Sequence, residues 1–115
     1  MVQALPGQPE GPREETVVGY EYTFAVGVGL KDAEETLLLA FLAATGLFGR
    51  ARVLGDVRYG RNDVQRTLKV GAETAVGSAI NAIFIAFIRQ EFGEDRFTVR
   101  PLKGPRTTAS PAPLN

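Results

Sequence analysis

TAVGSAINAIFIAFI, residues 74–88, runs fifteen residues without a charge before Arg89-Gln90-Glu91. It is the most apolar stretch of the chain, and what covers it decides the fold. A membrane-spanning helix needs about twenty apolar residues; this run is shorter and carries Ser78 and Asn81. It therefore reads as a buried or interfacial helix and not as a span, as does the shorter apolar run at residues 36–48. Val76, Ile80, Ile83, Phe84 and Phe87 fall on one helical face and are expected to meet a core. Ala75, Ala79, Ala82 and Ala86 form a smooth flank that another backbone can approach. The expected helix spans 73–92 and is closed by Gly93.

Upstream, Val18, Tyr20, Tyr22, Phe24, Val26 and Val28 lie two apart, with Gly19, Glu21, Thr23, Ala25 and Gly27 between them. That alternation is the mark of a half-buried strand. Asp32 follows with Glu35 three positions later, the spacing of an N-cap and capping box. The helix it opens is expected to reach about Phe48, or to stop at Gly46 with Leu47 packing back. Leu37, Ala40, Phe41, Ala44 and Phe48 share its core face. Leu39, Leu42, Ala43 and Gly46 occupy the opposite face, where a solvated helix carries charge.

Residues 50–59 alternate again, Ala51, Val53, Val57 and Tyr59 against Arg50, Arg52, Asp56 and Arg58, with Gly55 as a bulge. Gly60-Arg61-Asn62 reads as a turn, and residues 64–70 as the second arm of a hairpin, with Val64, Arg66, Leu68 and Val70 on one side. Residues 96–102 make a fourth strand with Phe97 and Val99 inward. The resulting string is β-α-β-β-α-β. Right-handed crossovers favour an α+β, ferredoxin-like split βαβ sandwich for it. Such a fold has an antiparallel four-stranded sheet in order 4-1-3-2 and two helices on one face. The domain is expected over 16–102, between a flexible N-terminal arm at 1–15 and a disordered C-terminal tail at 103–115.

A chain of 115 residues holds one domain. Thirteen basic and thirteen acidic residues give a net charge of zero, which removes the broad pull of a nucleic-acid or membrane-surface binder. With no cysteine there is neither a disulfide framework nor a thiolate nucleophile. The start, MVQALPGQPEGPREE, lacks the pattern of a secretory signal, and a cytoplasmic location is expected. The absence of histidine excludes His-based triads and His metal ligands. Ser78 lies inside the apolar helix and Ser110 in the tail, neither with a nucleophile's surroundings. The expectation is a non-enzymatic protein without a cofactor.

Three surfaces remain to be weighed. Asp32, Glu34 and Glu35, joined by Asp63, form a weak candidate for Mg²⁺ or Ca²⁺. Carboxylates in a first helical turn are equally explained by the helix dipole, at about 0.3–1 kcal/mol each, and that reading is preferred. Gly27-Val28-Gly29 is no phosphate loop, because an anion there would face the same carboxylates. Arg50, Arg52, Arg58, Lys69, Arg96 and Arg100, against Glu21, Asp56 and Asp63, are expected on the open sheet face. They could receive nucleic acid or an anionic ligand, although Tyr20, Tyr22, Phe24, Tyr59 and Phe97 fall on the buried side, away from any base that would stack on an open face. Finally, Leu39, Leu42, Ala43 and Gly46 of the first helix, with Ala82, Ile85 and Ile88 of the second, are expected on outer faces. The functional expectation is a small interaction or assembly module that self-associates, or meets a larger protein, through these apolar faces. The alternative is the nucleic-acid or anionic-ligand binder.

Overall fold

The computed structural model describes residues 15–105; the expectations for residues 1–14 and 106–115 lie outside the described residues. The alternating stretch becomes β1 (Glu15–Phe24), which points Tyr22 and Phe24 into the core and leaves Tyr20 half-buried. It ends earlier than its pattern suggests: Val26 is exposed in a turn, and Val28 is buried just before the next helix. Arg66 holds that turn. It adopts φ 58°, a left-handed backbone uncommon outside glycine. Its guanidinium donates to the carbonyl oxygens of Phe24, Ala25 and Val28, and such charge-assisted bonds offset the backbone cost.

Helix α1 (Leu30–Phe48) starts from Gly29 without a side-chain cap, so Asp32 lies in its first turn and not at the cap. It also runs through Gly46 to stop at Gly49, whose φ of 87° suits glycine. Leu47 therefore does not pack back; it is 71% exposed.

The clearest departure from expectation follows. Residues 50–56 are not a strand but a short helix, α2 (Arg50–Asp56), in which Val53 alone is buried. One apolar residue satisfies a helix of this length as well as a strand. Arg52 favours the helix by pairing with Asp56 one turn on at 3.9 Å and by lying 5.0 Å over the Phe48 ring. The hairpin then shifts toward the C-terminus, as β2 (Tyr59–Asn62) and β3 (Thr67–Gly71). Its turn lies at residues 63–66, where the Asn62 side chain accepts from Gln65 N at 2.9 Å, the usual work of asparagine in turns. Val64 is accordingly exposed at the tip.

Helix α3 (Ala75–Phe92) is capped by Thr74, which accepts from Gly77 N at 2.9 Å, and is closed by Gly93 as expected. Its rotation about its own axis differs from the apolar count. Gly77, Asn81 and Ile88 face inward, while Phe87 is 38% exposed. Two polar or small residues explain this. A Cβ on Gly77 would lie 2.6 Å from the Gly71 carbonyl oxygen, so helix and strand end touch backbone to backbone. Asn81 accepts from the Tyr22 hydroxyl at 2.6 Å and donates to Gly71 O at 3.0 Å and Gly77 O at 2.9 Å.

A single 3₁₀ turn (Glu94–Arg96) leads into β4 (Phe97–Pro105), which continues through Lys103, Gly104 and Pro105 where the tail was expected to begin. The described residues are thus α+β, with three α-helices and one antiparallel four-stranded sheet ordered β2-β3-β1-β4. Read from the β4 edge the order is 4-1-3-2, with α2 added to the expected string. Tyr22 aligns with Leu68 on one side and Val99 on the other. Helix α3 covers the middle of the sheet, its Phe84 ring 4.8 Å from that of Tyr22. Helix α1 reaches the β2 edge, where Phe41 lies 5.4 Å from Tyr59.

Burial, and to a lesser degree Tyr20, pushes the Tyr22 phenol well above the ordinary tyrosine range. The folded chain therefore keeps a proton that the unfolded chain releases near about pH 10. Stability from this source is intact below that pH and falls as pH rises beyond it. Urea unfolding between about pH 9 and 11 should show a decline that is shallower in Tyr22→Phe; equal slopes would contradict the assignment.

Candidate interaction surface

The acidic group at the start of α1 is not gathered into one site. Glu34 accepts from the Tyr59 hydroxyl at 3.0 Å and from Arg61 Nη1 at 2.5 Å, and Arg61 Nε reaches Asp63 Oδ1 at 2.6 Å. Glu34 and Asp63 are therefore joined through a cation, while Asp32 and Glu35 lie exposed. Among the described residues no group of three acidic, His or Cys side chains could hold a metal. Tyr59 is raised in pKa by burial and then by its bond to Glu34. The cluster fastens β2 to α1.

The six basic residues expected on one face are dispersed. Arg50 and Arg52 belong to α2 and Arg96 to the 3₁₀ turn, because the strand reading that aligned them fails there. Arg58 turns its guanidinium to the carbonyls of Gly55 at 3.0 Å and Val57 at 2.8 Å. Lys69 and Arg100 do share the open sheet face, but both are in register with Glu21. Arg100 donates to the Glu21 carboxylate, Lys69 approaches it at 4.0 Å, and Glu21 is only 8% exposed between them. The neighbouring row is Thr67, Thr23 and Thr98. On the other side of the Glu21 row, the registered pair Gly19 and Gly71 floors a shallow trough of about 350 Å³ bordered by Arg58, Lys69 and Leu102.

The expected helix surface divides into three. Ile88 is fully buried in the core, because the Gly77 and Asn81 contacts turn it inward. Ala82 and Ile85 line a groove of about 330 Å³ with Tyr20, Ser78 and Val99, over the β1–β4 half of the sheet. That is the opposite flank of α3 from α1. Leu39, Leu42, Ala43 and Gly46 do lie together on the exposed face of α1, with Leu39 56% and Leu42 66% exposed. Leu38 and Leu47 join them, and Leu54 of α2 is exposed beyond. The sequence reading missed these three, although the four-residue step from Leu38 to Leu42 to Gly46 carried the signal. From Thr36 to Phe48 the helix has no charged residue, so nothing on this stripe favours water.

Helix α3, at 18 residues, is long and apolar enough to cross a membrane by length and composition alone; here it lies against the sheet. Comparison with protein-family models, curated protein sequences and solved structures finds no match.

Because Glu34 ties β2 to α1 through partly exposed groups, Glu34→Ala should lower global stability by less than about 1 kcal/mol. Hydrogen exchange should nevertheless quicken at residues 59–62 ahead of the other strands. Unchanged protection there would show that Glu34 does not hold the edge strand.

Proposed function

We propose that this chain is a non-enzymatic interaction and assembly module that self-associates through the outer face of α1. The observation that carries the reading is the uncharged stripe of Leu38, Leu39, Leu42 and Leu47, exposed along one side of a single helix. Burying one such side chain fully is worth about 1.5–3 kcal/mol. With the four between 46% and 71% exposed, about twice that is forgone, and contiguous apolar patches on folded domains usually mark interfaces. A second copy supplies the same apolar chemistry. The fold we infer behind it is a ferredoxin-like variant with α2 inserted, supported by the strand order and by α1 and α3 lying together. The fold alone selects no function.

The rival reading, an anionic-ligand or nucleic-acid binder, has less support. Its platform is reduced to Lys69 and Arg100 around a carboxylate that already occupies them, and no aromatic ring joins that pair and the threonine row beside it.

Light scattering after gel filtration tests the reading. At micromolar concentration the unmodified chain should exceed the mass of one chain, and Leu39→Glu or Leu42→Glu should return it to that mass with an unchanged circular dichroism spectrum. Single-chain mass for the unmodified protein, or assembled mass for both variants, would overturn it.

A further inference from the structure

Gly46 lies within helical backbone on the exposed face of α1, and a Cβ placed there would meet nothing within 4 Å. Glycine inside a helix is unfavourable relative to alanine, and nothing among the described residues requires it here. What glycine does provide is a notch. Leu38 lies two turns before it and Leu42 one turn before, so the ridge along this face reads large, large, absent.

A two-fold axis through Leu42, perpendicular to α1, sets position 42−n of one copy against position 42+n of the other. Leu38 then meets the Gly46 notch of the second copy, twice by symmetry, and Leu42 meets Leu42. Glu35, the last charge before the stripe, comes opposite Gly49, where α1 ends, and so within a side chain's reach of Arg50, the next residue and the first of α2. Among the described residues neither Glu35 nor Arg50 has an ion-pair partner of its own chain. A parallel pairing would do the reverse. It would set leucine on leucine, leave the two notches facing each other empty, and oppose Glu35 to Glu35.

We propose that the occupant of the α1 stripe is a second copy of this chain in an isologous antiparallel pair, with Leu38 seated at Gly46 and Glu35 facing Arg50. The proposal rests on the self-association reading above and adds its geometry. The chain has no cysteine, so a single introduced thiol reports contact without interference. Leu42→Cys, treated with a short bismaleimide, should yield a covalent dimer, whereas Thr98→Cys, exposed on the open sheet face, should not. Glu35→Arg and Arg50→Glu should each raise the dimer dissociation constant about fivefold, and the two together in one chain should restore it. Gly46→Ala should weaken the dimer of the otherwise unmodified chain, yet raise the thermal midpoint when placed on the dispersed Leu39→Glu chain. If the unmodified protein is a dimer but Leu42→Cys does not cross-link, or the double charge variant fails to recover, the antiparallel geometry is wrong and self-association stands. If the unmodified protein has single-chain mass, both fall.

Discussion

The contact on which the rest depends is the one between the start of α3 and the end of β3. Gly77 lies against the Gly71 carbonyl with no room for a methyl group, and one turn later Asn81 spends its amide on Gly71, Gly77 and the Tyr22 hydroxyl. A buried amide left without partners costs about 1–3 kcal/mol, so helix, edge of strand and tyrosine must arrive together. That seam sets the rotation of α3. Ile80, Phe84 and Ile88 are turned to the sheet, and Phe87 is turned out. Helix α1 then has a fixed neighbour, to which Thr36 is tied by a 2.6 Å hydrogen bond to Glu91. Its Leu37, Ala40 and Ala44 are sealed inside. Its outer leucines have no remaining surface of the described chain to meet.

The same arrangement disposes of the charges. Across the open face of the sheet, Glu21 gathers Lys69 and Arg100. At the β2 edge, Arg61 gathers Glu34 and Asp63. Polar surface is thus mostly matched locally by opposite charge or by carbonyl groups, as Arg58 and Arg66 show. Exposed pairs of this kind contribute little to stability, and the apolar stripe on α1 has no such local match. No group of three His, Cys, Asp or Glu side chains that could hold a metal is gathered among the described residues.

How much of this could be read from residue order alone depends on the length of each pattern. The ten-residue β1 and the helix closed by Gly93 carry enough period for their type to be read, although the strand stops at Phe24 and not with the alternation at Val28. Arg50–Asp56 does not: seven residues with one buried valine fit either period, and only the Arg52 contacts decide between them. That error moved Arg50 and Arg52 onto a sheet face they never occupy. The rotation of α3 was misjudged because counting apolar residues ignores Asn81 and Gly77, the two positions that anchor it. The outer face of α1 was legible because nineteen residues of helix leave little ambiguity about which side is which. The helix cap at Asp32 was not, since Gly29 starts the helix by backbone geometry without a side-chain bond.

The central claim is that one chain saturates its inner faces and leaves the α1 stripe for another copy. Sedimentation of the unmodified protein over a dilution series tests this most directly. The account requires the mean mass to fall with dilution from twice the 12.4 kDa chain mass toward one chain. A mass equal to one chain at every concentration would contradict it.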